Sequence, residues 1–407
     1  VELDNLNDLT VEGKKMNHCS GTYLDKIKSG DSKMFSLRDP RNNPRVTIEL
    51  DSDNNIVQAQ GNSNTSPPPE LQQKVDEWYR DYKNKAEYYK SDEFDINSLK
   101  NPHTALEAVR FNPELIKYVD TNSPNYTKIA LAAVRRNGLL LEYIKSDIPN
   151  YLQIVLEAVG QDSYALQYVD PRIQNYSQIA LRAIKKNAWA LQFVDQHTPD
   201  YSQIALEAVR KNGLVIRYVN QNVPDYYKIA LEATKSNCHA LRYVNPNINE
   251  YPLIVMDTVK RNAWVLEYVD PKTPGYISIA LHAIKKDLSI LEYIDSKTSA
   301  YPQIAFAAVQ YNPVAIKYIK PNVPNYFDIA ISAVKKYAWA LQYVDPSIPD
   351  YMQIALTAIQ KDKSVLYINL NAEIILQALR QGIIQPEDIP SEYKSDPAFM
   401  EKVKEII

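Results

Sequence analysis

The chain has 407 residues, 45% hydrophobic and 23% charged, a balance that can bury a large core and excludes a largely disordered protein. A net charge of −3 excludes a surface built throughout to coat nucleic acid. No run of eighteen apolar residues and no charged-then-apolar leader is visible, so no membrane span or secretory signal is expected, and the protein reads as intracellular (cytoplasmic) or virion-associated. With only 9 glycines and neither GxxxxGK[ST] nor GxGxxG, it has no phosphate-cradling loop, and no cofactor is implied. Its two cysteines, Cys19 and Cys238, lie in different regions and have neither zinc nor disulfide spacing, so no metal is implied either.

Residues 1–69 read as a small α+β domain. A helix is predicted over about 11–27, followed by three short extended runs at 33–38, 45–50 and 55–60, separated by turn-forming residues at Gly30-Asp31, Pro40–Pro44 and 51–54. The expected core is a helix plus a three-stranded antiparallel meander. Its chemistry-bearing residues are His18 and Cys19 beside a sheet presenting Arg38, Glu49, Gln58, Gln60 and Asn64, a set from which a thiol nucleophile with an orienting amide could be built. Adjacent residues on a helix point about 100° apart, so His18 is badly placed to deprotonate Cys19, and a buried cysteine beside a hydrogen-bonded histidine is the commoner arrangement.

The segments Leu9-Thr10-Val11-Glu12-Gly13, Met16-Asn17-His18-Cys19, Gly30-Asp31-Ser32, Ser36-Leu37-Arg38, Thr47-Ile48-Glu49 and the Gln58 to Asn64 stretch, with Trp78 beyond them, resemble the pattern of the PcfJ-like domain. That family is associated with conjugative plasmids and phages, and the resemblance carries no established reaction. Relatives commonly have Val-Gly-Gly after the cysteine, where this chain has Ser20-Gly21-Thr22.

After Pro67-Pro68-Pro69 comes a polar helical connector, 70–100, with Val75 and Trp78 on one face, predicted to dock on the sheet or to bridge to the next domain. From 101 to 367 the chain repeats. Tyrosine recurs at 126, 151, 176, 201, 226, 251, 276, 301, 326 and 351 without insertion or deletion, after a less regular copy at 101–125. In one copy Tyr126, Ile129, Ala130, Ala133 and Val134 mark one face of an α-helix. Asn or Asp before the tyrosine is expected to N-cap it, and Asn137 and its equivalents to end it in the left-handed conformation. A shorter apolar run such as Leu166-Gln167-Tyr168-Val169 allows about two further turns before Asp170-Pro171. Leu131, Leu156, Leu181, Leu206 and Leu231 lie off the main stripe, so each helix should be sandwiched between neighbours.

The fold class is therefore mainly α: a superhelical α-solenoid of about eleven 25-residue helix-pair repeats, with residues 368–407 as a C-terminal cap and polar tail. The Ala208-Val209-Arg210-Lys211-Asn212 stretch followed by Ile216-Arg217-Tyr218-Val219 resembles the hallmark of the repeats known as domain of unknown function 4116. That resemblance implies no activity; such repeats occur in large DNA viruses, protists and intracellular bacteria.

One stripe of charge stands out. The positions closing the long helix are often basic, as Arg135-Arg136, Lys185-Lys186, Arg210-Lys211, Lys260-Arg261, Lys285-Lys286 and Lys335-Lys336. Cations in a last turn are favoured by the helix macrodipole, which explains them without a partner. The alternative, a ladder for an anionic partner, is weakened by the interruptions Gly160-Gln161 and Gln310-Tyr311 and by the recurring aspartates Asp170, Asp195, Asp270 and Asp345. The repeated tyrosines begin buried stripes and are read as packing anchors, leaving variable positions such as Thr127, Lys128 and Ala132 to face a partner. The leading expectation is a non-catalytic scaffold whose solenoid binds protein partners, nucleic acid being less favoured, in one version as a component of a virus, phage or other mobile element. The alternative is a thiol-dependent enzyme or nucleic-acid effector centred on Cys19 and tethered by the repeats.

Overall fold

Alternating polarity in the first strands builds a sheet with two different faces. The computed structural model describes residues 1–3, 6–17, 23–29, 31–368 and 370–407. Strands β1 (Ser32–Arg38), β2 (Pro44–Asp51) and β3 (Ile56–Gln60) form an antiparallel meander in the order β1-β2-β3. The register sets Phe35 opposite Ile48 and Ile48 opposite Ala59 on one face, and Ser36 opposite Thr47, Thr47 opposite Gln60 and Glu49 opposite Gln58 on the other. The single helix expected over 11–27 is replaced by two, α1 (Leu6–Met16) and α2 (Leu24–Ser29). Helix α1 stops because Asn17 takes a left-handed conformation, φ 52°, which Asn tolerates better than most residues.

The apolar sheet face is covered by the connector helix α3 (Pro69–Tyr88), which buries Val75 and Tyr82 against Phe35, Val46, Ile48 and Leu50. It docks and bridges at once. Phe35, Trp78 and Tyr82 meet with centroids 5.0 to 5.3 Å apart, and Tyr82 meets Phe111, at the end of the first repeat helix (Pro102–Phe111), at 4.9 Å. The sheet, the connector and the first repeats thus share one aromatic core. The chain forms two compact bodies, Val1–Lys211 and Asn212–Ile407.

Each repeat opens with an eleven-residue α-helix, for example Tyr126–Arg136, Tyr151–Gln161 and Tyr176–Lys186 in the first body and Tyr226–Ser236, Tyr251–Arg261 and Tyr276–Lys286 in the second. The tyrosine and the Ile/Ala/Ala/Val stripe are buried, while Leu131, Leu156, Leu181, Leu206 and Leu231 are half-buried. The short second element is a 3₁₀ helix of five or six residues, such as Ser163–Tyr168, not a two-turn α-helix.

Both expected caps act elsewhere. The side chains of Asn125, Asp225 and Asp350 cap no backbone amide of the long helix, and Asn150, Asn175 and Asn325 stand before it in left-handed conformation. Asn137 is extended at φ −145°; its amide donates to Ala133 O, closing the α-helix, while its Oδ1 accepts from Leu139 N at 3.1 Å, opening the 3₁₀ helix. The same bond is made by Asp162, Asn187, Asn212, Asn237, Asn262, Asp287, Asn312 and Asp362 to the amide two residues on, between 2.8 and 3.1 Å. Tyr337 occupies this position with the same extended backbone and no cap. A second side-chain bond turns the chain after the 3₁₀ helix, as Asp170 Oδ1 to Arg172 N and Asp195 Oδ1 to His197 N, both at 2.9 Å. The aspartates read as counter-charges to the basic stripe are therefore turn formers.

Residues 370–407 are folded rather than a polar tail. Helices Ala372–Arg380 and Pro397–Ile406 bury Ile374, Ile375, Leu376, Leu379, Phe399 and Val403.

Three outcomes test this packing. Ala158→Leu, at a fully buried junction, should destabilise by about 1–3 kcal/mol in denaturant unfolding, against less than about 0.5 kcal/mol for exposed Lys128→Ala. Asn187→Ala should cost about 1 kcal/mol, whereas Tyr337→Asn, which supplies the missing cap, should stabilise by about 0.5–2 kcal/mol; a lower melting temperature for Tyr337→Asn would refute the capping role. Burial raises the pKa of Tyr126, Tyr151, Tyr176, Tyr226, Tyr251, Tyr276 and Tyr326, and that of Tyr301 to about 12. A folded pKa above the unfolded value near 10 means stability is intact below pH ~10 and lost as pH rises toward ~12. Helical circular dichroism should fall in that window together with a late phase of tyrosinate absorbance; complete ionisation with the helices retained would exclude buried anchors.

Candidate functional site

The polar face of the sheet packs against α1 and α2, with Glu12, Ser36, Thr47 and Glu49 buried and Gln58 and Gln60 half-buried. Glu12 on α1 is fully buried: its Oε2 accepts from Arg38 Nη2 at 3.2 Å and its Oε1 from Thr47 Oγ1 at 3.0 Å. Arg38 also donates to Ser36 Oγ and Asn42 Oδ1. In the neighbouring row Glu49, likewise buried, accepts from Ser32 Oγ at 2.7 Å and from Gln58 Nε2 at 2.6 Å, with Lys26 Nζ 3.7 Å away. Gln58 also lies 2.7 Å from Tyr23 Oη, and Gln60 donates to Gln58 Oε1 at 2.8 Å. The fold thus brings Arg38, Glu49, Gln58 and Gln60 onto one face, as the strand alternation requires, and leaves Asn64 apart on an exposed turn, Asn62–Asn64, with φ 60°. His18 and Cys19 lie outside the described residues. All four carboxylate oxygens are hydrogen-bonded, so this network fastens α1 and α2 to the sheet. Sequence reading passed over Glu12, the centre of half of it; its signal was a lone carboxylate on the helix face that also carries Leu9 and Met16.

In the repeats the two columns of the basic stripe do different things. Lys186 Nζ donates to Gly160 O and Gln161 O at 2.5 Å; Lys211 reaches Lys185 O, Lys286 reaches Lys260 O, Lys336 reaches Gln310 O and Arg261 reaches Thr234 O. Each of these cations caps the C-terminal carbonyls of the preceding long helix, so the macrodipole attraction acts across the repeat junction. Arg136 instead pairs with Glu2 at 2.6 Å. Of the first column, Arg135 faces Glu157 at 3.5 Å, Arg210 faces Glu207 at 3.3 Å and Lys285 lies over the Tyr311 ring, while Lys185, Lys260 and Lys335 are exposed.

A second ladder of aromatic residues, at Tyr118, Tyr143, Tyr168, Phe193, Tyr218, Tyr243, Tyr268, Tyr293, Tyr318 and Tyr343, stands at the ends of the 3₁₀ helices; Tyr118, Tyr143 and Tyr293 are exposed, Tyr293 at 66%, and the others are half-buried. In a 3₁₀ helix residues three apart eclipse, so Ser163, Leu166 and Val169 turn inward while Gln167 turns outward and Tyr168 stays at the rim. In several repeats the charged residue before the ring reaches into the ladder, whereas Gln167, Gln192 and Gln342 bond back to the carbonyls of Tyr164, Trp189 and Trp339. Lys117 lies over Tyr118 at 5.0 Å, Arg217 over Tyr218 and Tyr243, Arg242 over Tyr243 and Tyr268, and Lys317 over Tyr318 and Tyr343; Glu142 hydrogen-bonds Tyr168 and Glu267 hydrogen-bonds Tyr268. Further aromatics join from the second 3₁₀ position, Tyr164 against Phe193, His239 against Tyr268 and Trp264 against Tyr293. An apolar run this short does not distinguish a 3₁₀ helix from an α-helix in the sequence, and that ambiguity hides this ledge of tyrosine, tryptophan and paired charge.

Residues 1–77 match the family model described as PcfJ-like protein, and residues 126–174, 151–198, 201–249 and 301–348 match that of a domain of unknown function, DUF4116. No curated protein and no solved structure matches the chain.

Removing Arg38 would strand the buried Glu12 carboxylate. Arg38→Met should cost about 3–5 kcal/mol in the sheet domain, and Glu12→Leu/Arg38→Met should recover most of it. Hydrogen exchange of the β1–β2 amides reads both; an undisturbed sheet in the single variant would show that the pair does not fasten α1.

Proposed function

We propose that the protein is a non-catalytic binding scaffold whose repeats present the 3₁₀ ledge to a protein partner. The observation that carries this reading is the second aromatic ladder: exposed or half-exposed rings at a fixed 25-residue interval, interleaved with charged side chains, on a chain whose other repeated tyrosines are buried. Tyrosine, tryptophan and arginine are the residues enriched at protein interfaces, because a rigid amphipathic ring contributes large contact area at little entropic cost. Stacked helix pairs are a general means of extending such a surface beyond one domain. The sheet domain supports the same reading, since its two buried carboxylates, Glu12 and Glu49, are engaged in hydrogen bonds to neighbouring side chains.

Affinity-tagged protein purified from its native cells should retain bound proteins that are lost from a ledge variant, Tyr143→Ser/Tyr218→Ser/Tyr293→Ser, and kept by a stripe variant, Lys185→Ser/Lys260→Ser/Lys335→Ser. Circular dichroism should show both variants folded. The reverse pattern, or nucleic acid as the retained material, would overturn the proposal.

A further inference from the structure

The repeats serve as one another's controls, because the residue before each ledge ring varies while the packing does not. That position holds Glu142, Gln167, Gln192, Glu267, Glu292 and Gln342 in some repeats and Lys117, Arg217, Arg242 and Lys317 in others. The stack therefore does not require a cation there. Three ledge segments, 213–224, 238–249 and 313–324, contain no Asp or Glu, and they are the segments that carry Arg217, Arg242 and Lys317. In the first two the turn-forming Asp found in most repeats is replaced by Asn220 and Asn245, which make the same turn bond at 2.9 Å. Neutral turn formers and cations thus occur together, and the two adjacent ledge segments, each followed by an acidic residue at the next helix start, Asp225 and Glu250, carry cations with no carboxylate between the cap and that start.

The geometry of the patch narrows what it fits. Arg217 lies 5.2 Å from the Tyr218 centroid and 5.5 Å from Tyr243; Arg242 lies 5.3 Å from Tyr243 and 5.6 Å from Tyr268. Two guanidinium groups thus lie over the Tyr243 ring, and His239 Nδ1 contacts Tyr268 Oη at 2.9 Å. Rings already engaged by cations offer little π-face for stacking a nucleobase. Guanidinium groups held in order by aromatic rings instead favour planar, bidentate acceptors, of which carboxylate is the commonest on proteins. Neighbouring repeats stand at helix-packing distance, ~8–10 Å, which three residues of an extended chain span at about 3.1–3.4 Å each.

We infer that the ledge around Arg217 and Arg242 binds an extended acidic segment of a protein partner, with carboxylates at about every third residue. This rests on the scaffold reading and names the chemistry of one part of its surface. The test uses the full-length chain and a fluorescent twelve-residue peptide with glutamate at every third position, read by anisotropy at 50 mM and 200 mM salt. The peptide should bind, weaken at the higher salt, and lose about tenfold or more in affinity in Arg217→Gln/Arg242→Gln, whereas Lys185→Gln/Lys260→Gln leaves it unchanged. A peptide of the same composition with its glutamates clustered at one end should bind less tightly. No binding at 50 mM salt, equal loss in the two variants, or tighter binding of a single-stranded oligonucleotide of equal charge would overturn the inference. Loss of the co-purifying proteins in the tyrosine variant alone, with Arg217→Gln/Arg242→Gln retaining them, would overturn it while leaving the scaffold reading intact.

Discussion

One side-chain oxygen organises every regular repeat but one. The Asn or Asp after the long helix closes that helix with its backbone amide and opens the 3₁₀ helix with its carboxyl or carboxamide oxygen, so a single residue sets the length of the first element and the starting phase of the second. Extended backbone at this position turns the chain sharply, and the side chain satisfies an amide that would otherwise be an orphan at a helix start. The buried tyrosine then depends on the turn beyond the 3₁₀ helix: Tyr176 Oη accepts from Asp195 N at 3.2 Å and Tyr226 Oη from Asn245 N at 3.1 Å. Ring, cap and turn form one closed set of bonds inside a repeat, and that closure gives a physical reason for the unbroken 25-residue interval.

The outward ladder is a consequence of the same cap. Once the second element is a 3₁₀ helix, its three-residue period sends the Ser163, Leu166 and Val169 column inward and leaves the tyrosine at the rim, whereas an α-helix over the same residues would carry it to a different face. The lysines of the second basic column tie one repeat to the next, because the C-terminal carbonyls of the preceding helix lie within reach of a long flexible cation. Two residue types that look alike in the sequence, basic at the helix end and basic before the ring, therefore face opposite tasks: one is consumed by the stack, the other stands on the ledge.

The same division governs what could and could not be read from the chain. The long helices, their buried face and the three strands follow from hydrophobic periods of 3.6 and 2, which bind residues close in sequence to a common face. The strand starts differed by a residue at most. What was misread concerns residues with more than one use. Asn before Tyr151 and Asn after Val134 are both good caps by type, and only the backbone conformation decides that Asn150 stands in the left-handed region while Asn137 caps the next element. The short apolar runs were too brief to tell 3.0 from 3.6 residues per turn, and with that distinction went the outward tyrosines. Glu12 was overlooked because a buried carboxylate is invisible until the strand bearing Arg38 is known to pass beneath it.

The contrast between the sheet domain and the ledge bears on where function resides. In the sheet domain, Glu12 and Glu49 are buried and every oxygen of the two carboxylates is hydrogen-bonded, an arrangement that specifies one packing. On the ledge, the charge before the ring changes sign from repeat to repeat over an unchanged frame, from Glu142 to Arg217 to Glu267 to Lys317. Packing cannot be the reason for that variation, since each of these residues reaches a ring of the ladder and the helices beneath are alike. The sheet domain and the ledge thus differ in what fixes their polar groups: in one they hold a packing, in the other a single position tolerates either sign of charge.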